Sequence, residues 1–222
     1  MINKIFKAIT LSIMLMATPA LASPSEEIAN SIMPSVGELA SKGQFDDKFN
    51  FICTVSKVGP AIFLTAGHCV ASQEQNSYQI RYGKQYLDVT HLSVSVNNRD
   101  NTSREDWALL YTKEDVPVPH IPLECKDNIK VGQQIVTAGF PFPAGKSYFE
   151  GYISSTAPLK INGGGDFFTD LQTGPGASGS PVIDRTYGRT IGILITMIIP
   201  GNRHLFTGVQ TVQTYGLCGV NE

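Results

Sequence analysis

Three short stretches carry residues that could do chemistry together: Thr65-Ala66-Gly67-His68-Cys69, then Asp106-Trp107-Ala108-Leu109-Leu110, then Gly176-Ala177-Ser178-Gly179-Ser180-Pro181. A serine hydroxyl is a poor nucleophile near neutral pH, because its proton must leave as it attacks. A neutral imidazole within reach can take that proton, and a buried carboxylate can fix its tautomer and stabilise the imidazolium that forms. Ser178 is therefore the candidate nucleophile, His68 the general base and later acid, and Asp106 the orienting carboxylate. These roles require activity to fall as acid protonates the base. Among His68, His91, His120 and His204, the first stands out because Ala66-Gly67 closes a strand before it and a cysteine follows. Asp106 is preferred to Asp100 because its D-x-A-L-L setting puts the carboxylate at the start of a strand that dives into the core. Taken alone, the glycines around Ser178 would be an ordinary turn.

Positioning these groups falls to short β-rich runs separated by turn residues. Phe51–Val55, Ala61–Thr65, Tyr78–Tyr82, Gln85–Val96 and Trp107–Tyr111 are expected strands, punctuated by Gly59-Pro60 and Gly83-Lys84. Residues 113–128 carry Pro117, Pro119 and Pro122 among charges and read as an ordered connector. A second series follows at Gln134–Gly139, Ser147–Ile153, Phe167–Leu171, Ser180–Ile183, Thr190–Met197 and His204–Val212. With no long amphipathic helix, the pattern is all-β, two antiparallel barrels joined by a linker. His68 and Asp106 fall in the first half and Ser178 in the second, so the site would form where the halves meet. Residues 23–50 are polar and mixed, without a clear period, and are expected to wrap the surface of the first unit.

The start of the chain reads as an export signal. Lys4 and Lys7 precede an apolar run from Ala8 to Ala17, and Ala20-Leu21-Ala22 offers a small-x-small cleavage pattern. The run is shorter than the ~20 residues of a spanning helix. Cleavage would leave a chain beginning at Ser23, secreted or periplasmic and without a membrane anchor. Removing the two lysines takes the formal charge from −2 to about −4, with no block of like charge, which argues against nucleic acid as a partner. Four cysteines, Cys53, Cys69, Cys125 and Cys218, favour disulfides in an exported chain, with three possible connectivities. No C-x-x-C or H-x-x-x-H spacing aims ligands at one point, so no metal is expected.

The His…Asp…Ser order and the three motifs resemble the trypsin-like (chymotrypsin-fold) serine proteases. The resemblance covers roughly Phe51 to Val212. It implies two six-stranded antiparallel β-barrels with the active site between them, the first over residues about 45–113, a linker over about 114–130 and the second over about 131–215. It implies a secreted serine endopeptidase that hydrolyses protein or peptide substrates through an acyl-enzyme intermediate, without a cofactor, and a monomer is expected. The backbone N–H groups of Gly176 and Ser178 would form the oxyanion hole. A Cys53–Cys69 bridge would lie beside the histidine, leaving Cys125 and Cys218 as the other pair. Ser-Gly-Ser-Pro at 178–181 and Gly139-Phe140-Pro141 look most like the bacterial V8-type members.

Several positions depart from the family pattern. Digestive members carry an acidic residue just before the nucleophile, which pairs with a newly cut N-terminus and assembles the oxyanion hole. Ala177 stands there, and no Ile-Val-Gly-Gly-like terminus is visible upstream of Cys53. That activation route is therefore expected to be absent, and other packing must hold the loop. The resemblance places Gln172 at the floor of the substrate pocket, with Thr173, Ile195, Thr196 and Met197 around it. Gln172 argues against Arg or Lys as the favoured side chain, and Leu194 against glutamate. A small or medium uncharged side chain is expected. Ile195 also replaces a serine that often bonds the catalytic aspartate. Ala177 and Ile195 together leave a second reading, a catalytically impaired pseudoprotease that binds proteins.

Overall fold

The computed structural model describes residues 24–43, 48–71, 77–96, 105–124, 129–158, 165–198 and 206–211. A short helix α1 (Pro24–Ile32) leads into twelve strands. The first six are β1 (Val36–Lys42), β2 (Asn50–Gly59), β3 (Ile62–Thr65), β4 (Ser77–Tyr82), β5 (Gln85–Val96) and β6 (Asp106–Thr112). They close into an antiparallel barrel in the order β1-β2-β3-β6-β5-β4. The others are β7 (Gln134–Gly139), β8 (Ser147–Ser155), β9 (Phe167–Thr169), β10 (Pro181–Asp184), β11 (Thr190–Ile198) and β12 (Phe206–Thr211), closed as β10-β11-β12-β9-β8-β7. Two six-stranded all-β barrels, as expected, thus form the fold, and closure removes the sheet edges that would otherwise invite pairing with other chains.

The first barrel starts earlier than the expected boundary of about 45. Val36–Lys42 is one of its strands, pairing with β2 on one side and β4 on the other, and does not merely wrap the surface. Its sequence, Val-Gly-Glu-Leu-Ala-Ser-Lys, has weak β-propensity, so tertiary pairing decides its conformation. Gly37 shows why: a Cβ there would lie 2.7 Å from the Tyr82 ring and 2.9 Å from the Arg81 carbonyl oxygen, so only glycine admits the neighbouring strand.

Each barrel is filled by inward-facing side chains. Leu39, Val55, Phe63, Leu64, Ile80 and Leu110 fill the first, and Ile135, Ile153, Phe167, Leu171, Val182 and Val209 the second. A third apolar cluster clasps the two together, with Ile32, Val36 and Ile121 against Val136, Ala138 and Ile183. Burying this apolar clasp favours the observed packing of one barrel on the other. The connector is tied to both barrels near its middle. Ile121 N–H donates to the Lys57 carbonyl on β2, while Thr190 N–H donates to the Pro122 carbonyl from β11. The buried Lys57 ammonium reaches the Val116 and Val118 carbonyls at 2.7 and 3.0 Å and the Asp115 carboxylate at 2.8 Å. No helix among the described residues is long and apolar enough to cross a membrane.

Candidate active site

The histidine is set by a single 3₁₀ turn, Gly67–Cys69, which follows β3 directly and is closed by the Val70 N–H to the Gly67 carbonyl. A Cys53–Cys69 disulfide ties that turn to β2, as the family resemblance implies. Asp106 opens β6, which pairs with β3 in register Thr65↔Ala108. Adjacent strands thus deliver the imidazole and the carboxylate to the same end of the first barrel.

Asp106 grips His68 twice. Its Oδ1 accepts the His68 backbone N–H at 2.7 Å, and its Oδ2 lies 2.8 Å from His68 Nδ1. An ionised carboxylate can only accept, so Nδ1 carries the hydrogen in this pair and the neutral ring presents a lone pair on Nε2. Asp106 is mostly shielded, with 16% of its side chain exposed against 40% for His68, so the base remains open to a reactant while its partner is fixed. Among the described residues, both donors to Asp106 come from His68. Ile195 offers none; it is buried and packs with the first-barrel core.

Ser178 comes from the turn that precedes β10. Its carbonyl accepts the Thr54 N–H from β2 at 2.9 Å, and Gly179 N–H donates to the Leu194 carbonyl at 2.8 Å. Gly179 meets the first barrel so closely that a Cβ would press into the Thr54 carbonyl oxygen and Thr65 Oγ1 and lie 3.0 Å from Ala66 N. Ala66 caps the His68 turn, so this contact sets the serine segment against the histidine segment. No hydrogen bond joins Ser178 Oγ to His68 among the described residues. Such bonds are often long before substrate arrives and tighten in the reacting complex.

The segment before the serine is tethered carbonyl by carbonyl. Phe142 N–H donates to Pro175 O at 2.7 Å, Thr54 Oγ1 to Gly176 O at 2.8 Å, and Ser180 N–H to Ala177 O at 2.9 Å. A trans peptide points its N–H opposite its C=O. Fixing Pro175 O therefore aims Gly176 N–H the other way, and fixing Ala177 O does the same for Ser178 N–H. Neither of these N–H groups has a partner among the described residues. Gly176 sits at φ +91°, where a Cβ would be 2.6 Å from the Phe140 carbonyl oxygen and 2.7 Å from the Phe51 ring. The glycine is required by both conformation and space. Ala177 is buried in the second-barrel core.

Next to Ser178 opens a cavity of about 290 Å³. Thr173, Ile195, Thr196 and Met197 line it as the resemblance implies, joined by Leu194 and Thr207. Gln172 is not brought to it: the side chain is exposed and donates to the Asp170 carbonyl. Among the described residues, none of the lining side chains is charged. Thr207 Oγ1 is turned toward the Leu171 carbonyl at 2.8 Å, so the polar atoms of the wall are partly spent on the protein itself. Cys125 and Cys218 lie outside the described residues. Sequence reasoning also passed over Thr54; its only signal is a polar residue in the apolar run Phe51-Ile52-Cys53-Thr54-Val55.

A sequence profile for the trypsin-like peptidase domain matches residues 52–193. Compared by sequence, no curated protein matches the chain. Among solved structures, the HtrA-type protease AlgW with decapeptide is 17% identical at a TM-score of 0.69, covering 87% of this chain and 65% of that one. The Rv3671c protease from M. tuberculosis in its active form is 20% identical at a TM-score of 0.70, with 97% and 93% covered. The serine endoprotease from Yersinia pestis is 18% identical at 0.62, with 85% and 63% covered. The chain thus spans less than two thirds of the length of two of these three, and at such identities the likeness speaks for the fold. None of the three is described as V8-type, so that finer resemblance gains no support. With the profile spanning more than half of the sequence and the two-barrel fold in agreement, this chain belongs to the trypsin-like peptidase domain family.

Proposed function

We propose that the protein is an exported endopeptidase that cleaves peptide bonds by a Ser178–His68–Asp106 triad through an acyl-enzyme intermediate. Ser178 Oγ attacks the scissile carbonyl as His68 Nε2 takes its proton, and the carbonyl oxygen becomes an oxyanion. His68 then returns that proton to the leaving amine, which departs as the C–N bond breaks. Water, activated by the same imidazole, hydrolyses the resulting ester and frees Ser178. Gly176 N–H and Ser178 N–H stabilise the oxyanion in each half; removing one such donor typically costs ~3 kcal/mol of barrier. The observation that carries the reading is the double hold of Asp106 on His68, which engages Nδ1 and leaves Nε2 available as the base.

The uncharged wall of the cavity supports a small or medium uncharged residue on the acyl side of the cut. A carboxylate or ammonium buried there would lack a charged partner among the described residues. Lys4, Lys7, the apolar run after them and Ala20-Leu21-Ala22 support export with removal of residues 1–22. Digestion of a peptide library by wild-type enzyme and by Ser178→Ala tests the proposal. Cleavage after uncharged residues by wild type alone is expected. Equal cleavage by both would refute the triad, and a strict preference for Arg or Lys would refute the pocket assignment. Intact folded protein that hydrolyses nothing would favour the protein-binding pseudoprotease.

A further inference from the structure

Thr54 immediately follows the cysteine that is bridged to the His68 turn, and it is fully buried. Two of its polar groups make three hydrogen bonds to the second barrel. Its N–H donates to Ser178 O at 2.9 Å, and its hydroxyl donates to Gly176 O at 2.8 Å while accepting the Phe140 N–H at 3.0 Å. The hydroxyl thus uses its single hydrogen on the nucleophile loop and a lone pair on the end of β7. Gly139 allows this approach, since a Cβ there would lie 3.2 Å from Thr54 Oγ1. The remaining polar atom, the carbonyl, accepts from Thr65 Oγ1 at 2.7 Å on β3, one residue before the cap of the His68 turn. One residue therefore touches the segments bearing the base, the nucleophile and the oxyanion donors.

We propose that the Thr54 hydroxyl is a positioning group that holds the 176–177 peptide so that Gly176 N–H and Ser178 N–H both face the developing oxyanion. This rests on the catalytic reading above and supplies what Ala177 cannot, an anchor for the loop that needs no charge and no cleavage. Of the three tethered carbonyls, those of Pro175 and Ala177 are held by backbone groups of nearby turns, whereas Gly176 O is held by a side chain from the other barrel. Without that hydroxyl, a buried carbonyl and a buried N–H would lose their partner, and turning the peptide is the local way to recover one. Gly176 sits at its hinge, and glycine permits alternative conformations there. A turned peptide would swing the neighbouring N–H groups off the position where charge develops.

The test compares wild type with Thr54→Val, Thr54→Ser, Thr54→Ala and Ser178→Ala, using a peptide substrate, a peptide boronate that forms a tetrahedral anionic adduct with serine, and the cleaved peptide product. Thr54→Val should lower kcat by about 10- to 100-fold with KM within about twofold. Its affinity for the boronate should fall in parallel while that for the product holds, and Thr54→Ser should restore both. If the valine variant does not fold, serine against alanine makes the same comparison, because both lack the methyl and only serine keeps the hydroxyl. Full kcat in folded Thr54→Val or Thr54→Ala overturns the proposal. So does a loss that serine fails to restore, or one that affects boronate and product equally. Ser178→Ala separates the two readings: a live Ser178→Ala enzyme overturns the triad, whereas a dead one beside a fully active Thr54→Val overturns only the role of Thr54.

Discussion

Replacing Gly176 by alanine should damage turnover and stability by comparable amounts. The backbone at φ +91° is strained for any residue with a side chain, at a cost of about 1–3 kcal/mol. The added methyl would begin 2.6 Å from the Phe140 carbonyl oxygen and 2.7 Å from the Phe51 ring. Reaching ordinary contact requires a displacement of roughly 0.8 Å, and crowding of this kind typically adds ~1–3 kcal/mol. A total loss of about 2–6 kcal/mol is expected, measured by urea titration. The displaced group is itself a proposed oxyanion donor, so kcat should fall about 10²- to 10³-fold in protein that is still folded. Gly188→Ala is the control. Its φ is +67° and a Cβ there meets nothing within 4 Å, so it carries the backbone strain alone and should keep wild-type kcat. Peptide hydrolysis by folded Gly176→Ala at the wild-type rate would show that the Gly176 N–H takes no part in the chemistry.

Further outcomes follow from the same geometry. Asp106→Asn removes the acceptor that sets the Nδ1–H tautomer, and kcat should drop about 10⁴-fold with folding retained; a drop below tenfold would contradict the assignment. Replacing Cys53 and Cys69 by alanine opens a bridge of sequence separation 16 and should cost about 2–4 kcal/mol by urea titration; unchanged stability would argue against it. Asp115→Asn should cost about 1–3 kcal/mol at neutral pH, less than for a wholly buried pair because Asp115 is 44% exposed. Burial pulls the Asp115 carboxyl upward, but the Lys57 ammonium and the N–H groups of Ala61 and Val116 outweigh it and hold it below its ordinary value. The contribution of Asp115 is therefore fully present above an unfolded value of about 4 and fades as pH falls through the lower folded one. The variant and wild type should converge in acid melts, and a gap that widens would reverse the sign.

Much of this architecture is legible in the residues because the strands obey local rules. Gln85–Val96 and Gln134–Gly139 are β-rich runs bounded by turn residues, and they fold with the bounds their pattern implies. Val36–Lys42 defeats the same reading, since Gly37 and Ala40 belong there only through the strands beside them. Helix α1 is similarly hidden: Ile28 and Ile32 acquire meaning against Val136 and Ile183, more than a hundred positions later. At the site, motif residues announce themselves because the chemistry restricts their types. Gln172 shows the limit of alignment-like reasoning, as the chain turns its amide outward before Thr173 reaches the cavity wall. Thr54 is silent in sequence because a strand threonine usually means β-propensity, and its partners Gly176 and Phe140 are distant along the chain.

The most direct measurement is the mass of the protein after exposure to a fluorophosphonate, followed by peptide mapping of the adduct. A single adduct is expected on the peptide bearing Ser178, formed rapidly by wild type and lost in His68→Ala. An adduct on another serine, or one at Ser178 that forms equally fast without His68, would contradict the account.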